Sequence, residues 1–131
     1  MAGVFLLAAI SMTSSALLLP WAAPITPGRL GKDETTLYLR RFEPLRKALP
    51  PRGTVGYEAD SEDPLTDRQE VKRFYLTQYA VAPVIVVAGV DRDLVIGNYR
   101  DPGSCRVCGS RDFVLVGDFG QGVMLFRRSA R

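Results

Sequence analysis

Apolar residues along this chain fall into three patterns: a charge-free run at the start, two stretches at helical spacing, and five short strand-like runs. Residues 3–25 (GVFLLAAISMTSSALLLPWAAPI) carry no charge, and the first charged side chain is Arg29. Residues 32–48 read as helix, because Tyr38, Phe42, Leu45 and Leu49 recur every three or four positions. Pro44 lacks an amide donor and should break that helix, leaving one segment near 33–42 and a short turn from Pro44. A second helix is predicted over 64–81, with Asp63 as cap, Pro64 at the first helical position and Pro83 as the stop. Its apolar face is read as Val71, Phe74, Tyr75 and Gln78, continued by Ala82.

The strand-like runs are 54–58, 84–88, 94–99, 113–117 and 123–127. Residues 54–88 therefore predict a parallel β-α-β unit. The continuous run VIVVA at 84–88 reads as a strand buried on both faces. Only a few residues around 91–93 separate it from the next strand, and a parallel crossover takes a dozen or more, so these two should form an antiparallel hairpin. The last two strands flank the Gly-containing turn 118–122 and predict a second hairpin. The expected fold class is α/β: a small mixed sheet of about five strands with two helices packed on it.

The opening run changes the picture from a free domain to a tethered one. About 20 apolar residues in a helix span the roughly 30 Å hydrocarbon core of a bilayer. A cleaved signal has a positive start, a shorter apolar centre and small residues before the cut. Here the start is Met-Ala-Gly, and a cut after Ala23 would place Trp21 where a small residue is wanted. We therefore expect residues 1–25 to be a transmembrane anchor or uncleaved signal; a cleaved signal and a core helix of a larger assembly are the alternatives. Residues 26–31 are then a Pro/Gly linker, and 32–131 a small soluble domain. The basic residues after the run, Arg29, Lys32, Arg40 and Arg41, taken literally place that domain in the cytoplasm.

Composition narrows the chemistry. The chain is 131 residues long and 47% hydrophobic, so a domain of about 100 residues can bury a core. A net charge of +3 with interspersed signs leaves no nucleic-acid footprint. There is no histidine, which excludes Ser-His-Asp and Cys-His nucleophile systems. No cofactor motif is present: Gly117 to Gly122 leads into a strand rather than a helix, so it reads as a hairpin turn and not a phosphate loop.

Three candidate features remain. Asp60, Glu62 and Asp63 follow the first strand, where α/β sheets place ligands; a solvated loop with a helix cap explains them as well. Tyr75, Gln78 and Tyr79 can line a pocket, or at helical spacing pack partly in the core. Cys105 and Cys108 form a C-x-x-C spacing that fits half a zinc site, a redox pair, or an ordinary loop with a local disulfide. Zinc takes four ligands, and these two cysteines alone cannot supply them.

Three segments together carry a resemblance: Leu49-Pro50-Pro51-Arg52-Gly53 followed by Val55-Gly56-Tyr57, then Phe74 through Pro83 (FYLTQYAVAP), then Leu94-Val95-Ile96-Gly97-Asn98. With the closing Gly-Val-Met-Leu-Phe-Arg-Arg, this order resembles a group of small bacterial membrane-anchored proteins. It also resembles the soluble tail of polytopic membrane glycosyltransferases of the lipid-linked sugar type. The likeness covers about residues 45–128. It carries over no catalytic residue, because in those enzymes the chemistry lies in membrane-proximal loops. What it implies is an α/β domain facing the periplasm or cell exterior, against the charge-based orientation, and we follow the resemblance. The resulting expectation is a single-pass membrane protein with an accessory or binding domain in the cell envelope, whose partners are the bilayer and a polytopic membrane protein. The alternative is a small envelope enzyme or sugar- or nucleotide-binding domain built on the acidic loop.

Overall fold

The computed structural model describes residues 33–130, and the expected span at 3–25 lies outside them. Among the described residues no helix is long and apolar enough to cross a membrane. The elements are α1 (Glu34–Arg40), α2 (Glu43–Ala48), β1 (Thr54–Ala59), α3 (Arg68–Val81), β2 (Ile85–Ala88), β3 (Leu94–Asn98), β4 (Phe113–Asp118) and β5 (Val123–Arg128). The five strands form one mixed sheet in the order β2-β1-β3-β5-β4. The α/β class and the five-stranded mixed sheet agree with the sequence pattern.

Local chemistry sets the helix ends. Asp33 caps α1 by accepting the Thr36 amide. Pro44 does not kink a long helix; it opens α2 in the first turn, where its missing amide has no intrahelical partner to lose. The second predicted helix starts later than expected. Asp63 accepts the Leu65 amide in a local turn, and the cap is Asp67, which accepts the amides of Gln69 at 2.7 Å and Glu70 at 3.1 Å. The buried face of α3 is also rotated from the predicted one. It presents Glu70, Arg73, Phe74, Thr77 and Val81 inward, while Tyr75 is exposed. Periodicity scored by hydropathy cannot register a face whose inward positions are largely polar.

The β-α-β unit forms as predicted, with β1 parallel to β2. The predicted hairpin of β2 with β3 does not form. Both strands run parallel to β1, one on each side of it. Residues 89–93 make that crossover by passing over β1 itself. Gly89, at φ +100°, turns the chain and exchanges two 3.0 Å backbone hydrogen bonds with Tyr57. Gly56 makes room, since a Cβ there would sit 2.5 Å from the Gly89 carbonyl oxygen. The usual length rule assumes a helix that carries the chain back along full-length strands, whereas this link joins strands of four and five residues across a single neighbour. In consequence β2 is an edge strand with Ile85 exposed, not one buried on both faces. The β4–β5 hairpin is antiparallel as expected.

The helices cover one face of the sheet. Phe42, Leu45, Leu49, Phe74 and Val81 meet Val55, Tyr57, Val86, Ile96, Val123 and Leu125 there. Phe74 meets the Tyr57 ring edge-on at 5.2 Å. The opposite face carries a smaller cluster of Val95, Tyr99, Val107 and Phe126 beneath the segment 101–112.

Candidate functional site

Successive residues at the end of β3 point to opposite faces of the sheet, and each face carries a polar cluster. On the helix side stands Asn98, fully buried. Its amide nitrogen donates toward Tyr38 Oη at 2.8 Å, Tyr57 Oη at 3.0 Å and Thr77 Oγ1 at 3.3 Å. Its carbonyl oxygen accepts from Arg73 at 3.1 Å and from Arg41. Burial, foremost, and the neighbouring Tyr38 push the Tyr57 hydroxyl well above its ordinary value, so it stays protonated.

Arg73 is almost fully buried, and both its terminal nitrogens are engaged. It donates to Asp60 at 3.0 Å, Glu70 at 2.8 Å and the Asn98 backbone carbonyl at 2.7 Å. Burial works against its charge, yet the bonds to Asp60 and Glu70 outweigh it and hold the guanidinium above its ordinary value. Asp60 also accepts the amides of Arg100 and Asp101. Burial opposes its ionised form, but these donors with Arg73 keep its carboxyl below the usual range.

Arg41 differs from Arg73. It is half-buried, stacks over Tyr38 at 4.6 Å and Phe42 at 5.1 Å, and donates to Asn98. Among the described residues it takes part in no ion pair. Its Nε is buried without an acceptor; among the described residues the one other buried side-chain polar atom left unpaired is Glu70 Oε2, which lacks a donor. Burial, with the like charge of Arg73 adding to it, pulls Arg41 below its ordinary value.

A cleft of about 230 Å³ opens between α1 and α3 beside this cluster, near the carboxyl ends of β1 and β3. Arg41, Lys72, Arg73 and Arg100 line it together with Glu34 and Gln69. Asp60 and Glu70 neutralise Arg73 from behind. With Glu34 in the lining, Arg41, Lys72, Arg73 and Arg100 stand against three carboxylates, so the cleft keeps a small net positive charge, carried on the ligand-facing side by Arg41, Lys72 and Arg100.

The second face holds Glu58, whose side chain is 1% exposed. It accepts from the Tyr99 hydroxyl and from Arg106 Nε at 2.8 Å. Burial first, and Glu58 next, push Tyr99 well above its ordinary value. Arg106 lies between Cys105 and Cys108, which are joined in a disulfide. A cavity of about 430 Å³ adjoins this group, lined in part by Glu58, Glu62, Arg106 and Asp112.

The residues singled out in the sequence do not converge. Asp60 braces the end of β3, Glu62 lies by the second-face cavity, and Asp63 serves a turn. Tyr75 is 60% exposed against Phe74. Gln78 clips α3 to β2, donating to the Val84 carbonyl at 2.9 Å and accepting the Val86 amide at 2.6 Å. Among the described residues no group of three or more potential ligands could hold a metal ion. The cleft cations were not singled out, although one signal was available: Glu70, Arg73 and Thr77 recur at helical spacing beside Phe74 and Val81. No family model, no curated protein and no solved structure matches the chain.

Proposed function

We propose that this chain is a membrane-tethered binding module that takes a small anion, of phosphate or carboxylate type, in the cleft between α1 and α3. The observation that carries the reading is Arg41: a half-buried guanidinium with no carboxylate partner among the described residues and a buried Nε without an acceptor, at a cleft it shares with Lys72 and Arg100. A half-buried guanidinium whose partners are a neutral amide and two aromatic rings is under-compensated, and an anion in the cleft would pair with it. A planar guanidinium suits the paired oxygens of either ligand class. Asp60, which the acidic-loop alternative needs free, is spent on Arg73 and two backbone amides, so the cations take the ligand role instead. The charge-free run at 3–25 supports tethering. The resemblance supports a place on the outer side of a bacterial membrane beside a polytopic glycosyltransferase, in an accessory capacity.

The test is titration calorimetry of the full chain in detergent with inorganic phosphate. Saturable binding is expected, weakened about tenfold or more by Arg41→Gln, because a charge-assisted bond is worth about 1.5–3 kcal/mol. Absence of binding, or binding indifferent to Arg41→Gln, Lys72→Gln and Arg100→Gln, overturns the assignment.

A further inference from the structure

The two polar clusters are built on adjacent residues. Asn98 holds Arg41 on the helix side, Tyr99 holds Glu58 on the other, and Arg100 lines the cleft. Asp60 binds the amides of both Arg100 and Asp101, so the segment that begins at 101 is tied to the cleft wall. That segment has little regular structure: two single 3₁₀ turns, Pro102–Ser104 and Val107–Gly109. It is attached to the rest of the domain through the buried Val107, the Arg106–Glu58 pair, an Arg106 contact to the Ser61 carbonyl at 3.4 Å and the Ser129 amide on the Asp112 carbonyl at 2.7 Å, and the Cys105–Cys108 disulfide staples it internally.

We propose that the Cys105–Cys108 disulfide is a redox-sensitive latch that regulates the anion cleft. When closed, it fixes the turn that delivers Arg106 to Glu58, and so holds Tyr99 and Arg100 in place. The proposal rests on reading the cleft as the anion site. Opening the latch lets the Arg106 turn spread. Glu58 then loses its cation while still buried, a state that a sheet interior does not tolerate. The strand end must shift to bring that carboxylate to water, and Arg100 shifts with it.

The chemistry is thiol–disulfide exchange with a dithiol reductant. A thiolate of the dithiol attacks Cys108 Sγ, since Cys108 is the more exposed of the pair. The Cys105–Cys108 bond breaks and a mixed disulfide forms. Cys105 leaves as a thiolate, a departure assisted by the Cys108 amide, which donates to Cys105 Sγ at 3.1 Å, and then takes up a proton. The second thiol of the dithiol closes its own disulfide and releases Cys108. Two electrons and two protons pass to the protein, and the dithiol is oxidised.

The experiment measures phosphate affinity of the full chain in detergent, oxidised and dithiol-reduced, and of the double variant Cys105→Ser/Cys108→Ser. Amide hydrogen exchange is followed in parallel. Affinity should fall about fivefold or more in the reduced and double-serine forms, the lower end of typical coupling between sites. Exchange should quicken in 99–112 while α3 stays protected. Equal affinity in both redox states, with the oxidised chain binding phosphate, overturns the latch and leaves the cleft assignment standing. No binding even when oxidised overturns the cleft assignment and the regulation with it. Faster exchange spread evenly through α3 marks a disulfide that merely stabilises the fold, and also overturns the latch.

Discussion

Asn98 makes one side chain organise five others. Its amide carries two hydrogens but faces three acceptors, so one of the bonds to Tyr38, Tyr57 and Thr77 is shared. Its carbonyl oxygen receives two guanidiniums, which brings like charges together and leaves Arg41 the less compensated of the two. Asp60 is the counterweight, because it accepts from Arg73 and from two amides of the next segment. Its carboxyl lies below the usual carboxylate range in the folded chain. A group with a depressed folded pKa stabilises the fold fully above its unfolded pKa, and that contribution drains away as pH falls through the folded value. Asp60→Asn should therefore cost about 1–3 kcal/mol at pH 7, where it removes a charged acceptor from a buried guanidinium. Urea unfolding at pH 7 and again near pH 3 checks this. The gap between parent and variant should narrow sharply at the lower pH; an unchanged gap would mean that shape, not charge, is what Asp60 contributes. The acidic residue was visible in the chain as a candidate ligand. Its role was not, because the amides and the arginine that claim it come from 13 to 41 residues away.

At the scale of elements, the parts governed by local chemistry were legible. The terminal hairpin, the β-α-β unit, the breaks at Pro44 and Pro83 and most strand positions follow from turn residues and short apolar runs. The failures share one cause, contacts distant in sequence. The inward face of α3 is polar because Asn98 and Asp60 wait on the sheet to receive it. The β2–β3 link is short because β1 lies between the strands and offers a glycine where the chain passes. That reading of Gly56 is testable. In Gly56→Ala the new methyl meets the Gly89 carbonyl oxygen at 2.5 Å and Val95 Cγ2 at 3.1 Å. Backbone must move, at about 1–3 kcal/mol, so the thermal midpoint should drop by roughly 5–15 °C. Gly109→Ala is the control, since nothing lies within 4 Å of a Cβ there. Equal midpoints for the two variants would show that the crossover does not depend on close passage over β1.

For the whole molecule, two lines of reasoning about sidedness oppose each other. Arg29, Lys32, Arg40 and Arg41 follow the charge-free run and favour a cytoplasmic domain. Part of that charge has another use, however. Arg41 is committed to Asn98 and the cleft, and Arg40 closes α1, where a cation suits the carboxyl end of a helix. Those uses in the folded domain leave the charge count itself unchanged, and a bias of four residues is modest beside the other forces that set orientation. The Cys105–Cys108 disulfide argues for the opposite side, because disulfides form and persist in oxidising compartments and are rare in the cytosol. We therefore predict that the domain lies outside the cytoplasm. In a bacterial host, a reporter that is active only after export, fused behind Arg131, should be active, and a reporter that works only in the cytoplasm should not. Thiol trapping of the same cells gives an independent reading: Cys105 and Cys108 should be protected from alkylation until a reductant is added. Cytoplasmic reporter activity with freely alkylated cysteines would reverse the placement. It would also leave the latch open in its resting state, so that phosphate binding would be weakest in the very compartment the domain occupied.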